Sequence, residues 1–313
     1  MSRTTRRRGK TSSVLAVASC FVAGTVVGML VPRTRALAGP AGRWVVSVAL
    51  PALILVRLPE LAGDGAAIRD GALVPVLAAW STILVGVAAV AVASRRADWP
   101  PAVTGALLMV VPLGNTSFLG LPVVDAVLGT DHVPSALAFD QLGTFLALAT
   151  YGTWVTGRFG SSGGSAREML RRLGTFPPFL ALLASTVFMR FDMPGPLADV
   201  LGWLGRTVAP VAMVSLGLRF VPRLRPARPG AVVFGLAVKM VLMPGLVAVA
   251  AVVLGDPGAV EWSSSIVEAS MPPMVTAGLI GISAGFDEEL TTSLVAAGTV
   301  LAVVTYSVVS FVT

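Results

Sequence analysis

The sequence predicts an all-α polytopic membrane protein: ten transmembrane helices in two inverted five-helix repeats, with broken helices 4 and 9 crossing at the centre. Three observations carry this expectation. Hydrophobic residues make up 55% of the 313 and charged residues only 12%, where a soluble domain carries about 25% charge. Apolar runs close to the roughly 20 residues needed to cross a bilayer recur along the whole chain. Two of these runs are interrupted by residues that cannot continue a helix, at corresponding places in two halves.

The apolar segments fall near residues 11–31, 42–58, 72–93, 102–128, 133–157, 176–190, 197–219, 230–254, 259–284 and 289–312. At the start, Arg3, Arg6, Arg7, Arg8 and Lys10 followed by an apolar run imitate a signal peptide. The run to Val31 exceeds the about 7–15 residues of such a segment. Pro32, Arg33 and Arg35 also separate it from Ala36-Leu37-Ala38. It reads as a retained first span.

The fourth segment holds Val111-Pro112-Leu113-Gly114-Asn115-Thr116-Ser117-Phe118-Leu119-Gly120-Leu121-Pro122, and the ninth holds Glu268-Ala269-Ser270-Met271-Pro272-Pro273-Met274. Proline removes a backbone donor and clashes with the carbonyl four residues back, and glycine weakens a helix. In hydrocarbon every freed backbone group needs a partner, so such a break survives only against protein, water or ligand. Paired broken spans are the mark of a secondary transporter with its site at the breaks. Where a helix restarts, its first amides point outward and its end is partly positive, which favours an anion. Asn115 adds an amide donor, and Thr116 and Ser117 add hydroxyls. The expected substrate site therefore comprises Pro112, Gly114, Asn115, Thr116, Ser117, Met271, Pro272, Pro273 and Met274, with Pro51 of the second span and Val275 nearby. The competing reading is that the prolines only kink the helices and Asn115 bonds a freed carbonyl.

The halves correspond weakly. Val48-Ala49-Leu50-Pro51-Ala52 resembles Val208-Ala209-Pro210-Val211-Ala212, with Pro51 and Pro210 separated by 159 positions and Pro112 and Pro272 by 160. Five spans per half is an odd number, so the second half enters from the opposite side. The division is residues 1–157, a linker at 158–175 containing Ser161-Ser162-Gly163-Gly164-Ser165, and residues 176–313. Thirteen Lys and Arg lie in and beside the loops on the linker side, three on the other side and five in the N-terminal tail. The loop bias places the linker in the cytoplasm and both termini outside.

Ionisable groups inside spans are costly and are functional candidates by default. Lys239 in the eighth span, Asp140 with Gln141 in the fifth, and Glu268 before Pro272 are candidates for coupling, a proton on a desolvated carboxylate being one means. A structural lysine–carboxylate pair is the alternative. Arg206 reads as snorkelling to the interface, and Asp125 as solvated or capping at a span end.

Other classes are set aside. The net charge of +7 is spread in short clusters between apolar runs, the pattern of loops and not of a nucleic-acid-binding face. One cysteine, Cys20, and one histidine, His132, offer no metal centre, and no cofactor motif is present. Gly281-Ile282-Ser283-Ala284-Gly285 fits a nucleophile pattern, but that pattern needs a strand-to-helix elbow. Here it ends a membrane helix, where small residues serve close packing, as Gly24 and Gly28 do. The chain is not expected to be an enzyme.

The two breaks, together with Val48-Ala49-Leu50-Pro51-Ala52-Leu53 and Ala284-Gly285-Phe286-Asp287, resemble the auxin efflux carrier family of transporters. That family includes plant PIN-formed carriers and bacterial malate or malonate permeases. The resemblance implies a scaffold of spans 1, 2, 6 and 7, a moving domain of spans 3–5 and 8–10, and a homodimer in the cell membrane. Plant members carry Asn-Pro-Asn-Thr at the first crossing. Leu113-Gly114-Asn115-Thr116 stands there in this chain, a departure from the pattern of the auxin carriers. The expected function is secondary transport of a small organic anion by elevator-type alternating access. A sodium-coupled symporter of the bile-acid type is the runner-up, and a non-transporting receptor or intramembrane enzyme is the alternative of another class.

The loop charges are directly testable. A cysteine replacing Ser162 in a Cys20→Ser background is expected to resist impermeant thiol reagents in intact cells. Ready labelling from outside would reverse the orientation.

Overall fold

The computed structural model of the protein describes residues 19–62, 73–160, 174–175, 177–188, 191, 193–219 and 228–312. The basic N-terminal tail, the first part of the expected first span and linker residues 161–173 lie outside the described residues. Among the described residues there is no strand, only helices and one isolated bridge.

Twelve helices follow in order. They are α1 (Ser19–Leu30), α2 (residues 32–62), α3 (Leu73–Arg96), α4 (Pro101–Val110), α5 (Thr116–Val127) and α6 (residues 130–159). Then come α7 (Pro177–Phe188), α8 (residues 195–219, with a turn at Thr207), α9 (Pro229–Leu254), α10 (Val260–Ala269), α11 (Val275–Ser283) and α12 (Glu288–Val312). Five of them, α2, α3, α8, α9 and α12, contain stretches long and apolar enough to cross a membrane. Helix starts follow local chemistry: Pro101, Pro177 and Pro229 begin α4, α7 and α9, where a missing amide proton costs nothing. The helices stop where the sequence marks its breaks, α4 at Val110 and α10 at Ala269.

Three helices widen just ahead of a proline. The π turns Val45–Ala49, Thr116–Gly120 and Val238–Leu242 lie before Pro51, Pro122 and Pro244. The amides of Leu50, Leu121 and Met243 bond the carbonyls of Val45, Thr116 and Val238, five residues back. A proline cannot donate to the carbonyl four residues back and its ring crowds that carbonyl. The extra residue of a π turn opens the space. Two further π segments in α6, Phe139–Phe145 and Leu148–Gly152, have no such proline.

Packing sorts the helices. α2 lies against α7 and α8, and α1 lies against α8 so closely that a Cβ at Gly24 would fall 2.6 Å from the Val214 carbonyl oxygen and one at Gly28 2.8 Å from that of Leu218. α3 packs on α6, α9 and α10, while α4 packs on α6, α11 and α12. The core of this larger group runs from Val103–Leu113 to Phe286, Leu290 and Leu294. A second core, including Val45, Ile54, Leu121, Val124, Leu137 and Met213, joins α2 and α8 to α5 and α6.

The Gly281–Gly285 stretch is packing. The chain leaves α11 through Gly285 at φ 88°, and Gly281 makes room for the Phe286 ring, 2.9 Å from where its Cβ would be. Asp287 then caps α12 by accepting from the Leu290 amide at 2.9 Å and pairs with Arg228 at 3.3 Å.

Overfilling the α1–α8 contact is expected to cost about 1–3 kcal/mol. Purified Gly24→Val should therefore melt several degrees below the wild type in a detergent thermal-shift assay. Gly202→Ala, where nothing lies within 4 Å of the new methyl group, should not lower the melting point.

Candidate functional site

The two breaks meet and satisfy each other. The Asn115 amide donates to the Pro272 carbonyl at 2.7 Å, and the Met274 amide donates to the Leu113 carbonyl at 2.9 Å. Gly114 and Pro273 form the antiparallel bridge between them. The two segments run antiparallel, with Leu113 opposite Met274, Gly114 opposite Pro273 and Asn115 opposite Pro272. Four helix ends thereby converge: the C-termini of α4 and α10 and the N-termini of α5 and α11.

Around the crossing lies a buried polar layer. Asp140, fully buried on α6, accepts from Thr116 Oγ1 (2.5 Å), from Ser117 Oγ (2.7 and 2.6 Å to its two oxygens) and from Gln141 Nε2 (2.7 Å). Its role in the geometry is to hold the first turn of α5. The hydroxyls of Ser270 and Tyr306 bond each other and tie the end of α10 to α12. Glu268 is also fully buried, and neither of its oxygens has a hydrogen-bond partner among the described residues. It fits only because Gly120 has no side chain, since a Cβ there would run into the carboxylate. Lys239 donates to the Ala269 carbonyl at 3.2 Å.

Two donor or acceptor atoms are left over beside open space. Asn115 Nδ2 and Gln141 Oε1 are buried without partners among the described residues, and both residues line a cavity of about 340 Å³. Asn115 therefore does not spend its amide on a freed carbonyl. Ser117 and Met274 share this wall with Thr276 and Phe118, while Val46 and Leu50 of α2 form the opposite wall. The cavity extends along α6 to Thr156 and to Thr175 and Pro177, beside the linker. A second cavity of about 300 Å³ adjoins it at Val46, Phe118 and Thr276 and holds Arg43, Ser47 and Ser215. Far along α2 a smaller one of about 140 Å³ separates Asp125 from Arg206.

Of the residues the sequence singled out, Asn115, Ser117, Gln141 and Met274 stand on the large cavity. Pro112, Gly114, Thr116, Met271, Pro272 and Pro273 belong to the crossing and its first turns, and Pro51 to α2 beyond a π turn. No carboxylate lies within ion-pair distance of Lys239 among the described residues. Asp125 accepts from Thr130 Oγ1 at 2.9 Å in the α5–α6 connection. Arg43, Val46, Phe118 and Thr276 were not singled out. The signal was available: Arg43, Val46 and Leu50 recur at helical spacing ahead of Pro51, and Thr276 follows the second break as Ser117 follows the first.

A family described as membrane transport protein matches residues 13–159 and 164–310. The chain belongs to this family of membrane transporters, the auxin efflux carrier family that its broken segments resemble. An "Uncharacterized transporter" of Methanothermobacter thermautotrophicus is 29% identical over 95% of this chain and 96% of its own. A second "Uncharacterized transporter", from Methanocaldococcus jannaschii, is 28% identical over 57% of this chain and 58% of its own. A protein of Rhizobium meliloti named "Putative malonate transporter" is 25% identical over 61% of this chain and 62% of its own. The protein is a membrane transporter and not an enzyme.

Proposed function

We propose that the protein is a secondary transporter of a small organic anion bearing a carboxylate, held at the crossing and moved by elevator-type alternating access. One observation carries the proposal. The buried Asn115 amide has an unused donor on the 340 Å³ cavity, beside the N-terminal ends of α5 and α11. Two half-helix ends and a neutral amide together stabilise a carboxylate. The apolar body of the solute lies against Met274, Phe118 and Val46. Where it carries a second carboxylate, as the malonate in the name of the Rhizobium relative does, Arg43 on the adjoining cavity is the cation placed to meet it.

The movement proposed is of α3–α6 and α9–α12 against α1, α2, α7 and α8, ten spans in two inverted repeats of residues 1–157 and 176–313. The packing of α2 against α7 and α8, and of α3 and α4 within the larger group, supports this division. So does the reciprocal pairing of the breaks. With residues 158–175 placed in the cytoplasm, the two large cavities open inward and the small one at Arg206 lies on the outer side. A homodimer in the cell membrane, crossing it several times, completes the reading.

Asn115→Ala removes one charge-assisted hydrogen bond, worth about 1.5–3 kcal/mol, so affinity for the anion should fall about 10- to 150-fold. Asn115→Asp, nearly isosteric, sets a negative charge against the substrate and should bind more weakly still. Thermal shift and uptake with malonate and with monocarboxylates, at matched membrane levels, measure both. Wild-type binding by Asn115→Asp would move the site elsewhere.

Coupling to a proton is proposed for Glu268, whose oxygens have no hydrogen-bond partner among the described residues, and not for Asp140, which accepts from Thr116, Ser117 and Gln141. Uptake that rises as external pH falls should lose that dependence in Glu268→Gln. In Asp140→Asn the dependence should persist while substrate affinity drops, because one acceptor oxygen becomes an amide donor that opposes either the Gln141 amide or the hydroxyls of Thr116 and Ser117.

A further inference from the structure

Lys239 sits in the π turn Val238–Leu242 of α9 and is 2% exposed. Its ammonium donates to the carbonyl of Ala269, the last residue of α10, at 3.2 Å, and lies 3.6 Å from Met243 Sδ. It also abuts the other break, since a Cβ at Gly114 would come within 3.0 Å of Nζ. One side chain thus touches both halves of the crossing.

Its surroundings are those of a cation and not of a salt bridge. A helix C-terminus presents partly negative carbonyls, and here that end belongs to a helix cut short inside the protein. Glu268 is the carboxylate whose charge acts on Lys239, from beyond direct contact. An ammonium this deeply buried is costly unless the site itself demands positive charge. The four helix ends make that demand unevenly. The N-terminal ends of α5 and α11 favour an anion, whereas the C-terminal end of α10 and Glu268 together favour a cation.

We propose that Lys239 is the resident cation of the crossing. A tethered ammonium fills the place where an inorganic cation would otherwise neutralise Glu268 and the end of α10. The crossing then keeps its shape, and carries its anion, without sodium. This deepens the anion reading of the same crossing and rests on it.

The test uses salts alone, so it does not depend on knowing the substrate. Purified full-length protein is melted in sodium, lithium, potassium, methylammonium or choline chloride at equal ionic strength. The wild type should show the same melting point in all five. Lys239→Met opens the site and should melt lower in choline, then recover by about 3 °C or more in sodium or methylammonium, as binding to the folded state requires. Sodium stabilisation of the wild type by a similar amount would overturn the proposal. So would a folded Lys239→Met that ignores every cation. If Lys239→Met assembles only when extracted with methylammonium or sodium, the proposal is supported. If no cation recovers it while Lys239→Arg assembles normally, the lysine is structural and the proposal falls. Asn115→Ala should leave the cation response untouched, so failure of the anion reading and failure of this one are separate outcomes.

Discussion

The structure depends on two main-chain hydrogen bonds, Asn115 to Pro272 and Met274 to Leu113. A helix interrupted in an apolar interior leaves amides and carbonyls that water cannot reach, each unpaired group costing several kcal/mol by the order of magnitude for hydrocarbon. Each break supplies what the other lacks. Because the pairing is mutual, neither break is tolerable alone, and the two halves of the chain are forced to meet at one point. The convergence of four helix ends, the buried hydroxyls on Asp140 and the open space beside Asn115 follow from that meeting.

Two kinds of buried polar group result, and they divide along a physical line. Asp140 is saturated by Thr116, Ser117 and Gln141, so it fixes a conformation and has little capacity left for a ligand. Asn115, Gln141 and Glu268 each retain an unused atom in a buried place. Such atoms are expensive in a folded protein, where buried polar groups are almost always paired. The persistence of those of Asn115 and Gln141 on the large cavity is what separates a binding surface from a well-packed core.

Much of this was legible in residue types. The apolar runs locate most described helices to within a few residues, although α2 begins at Pro32 and its apolar run near residue 42. The proline, glycine and asparagine clusters locate both breaks, because hydrocarbon tolerates so few ways to interrupt a helix. The pairing register was not legible. Spacing sets Pro112 beside Pro272, whereas the main-chain hydrogen bonds follow the phase of amides and carbonyls, which sets Asn115 opposite Pro272 and Leu113 opposite Met274. Arg43, Val46 and Thr276 were missed for a related reason. Each is unremarkable within its own helix, and its place on a cavity is set by packing between helices far apart in sequence. That Lys239 makes no ion pair among the described residues was equally hidden, since spacing cannot say whether two buried charges touch.

The widened turns before Pro51, Pro122 and Pro244 have a consequence for how this chain should be compared with others. Each contains one residue more than an α-helix would need over the same rise. Removing that residue would rotate everything on one side by about 100°, the angle between successive residues at 3.6 per turn. Ser47, Ser117 or Lys239 would then face another direction while the rest of the helix kept its seat. A one-residue gap at any of these turns in a relative is therefore not alignment noise. It is the expected trace of a helix whose side chains have changed phase, with no change in the fold that holds them.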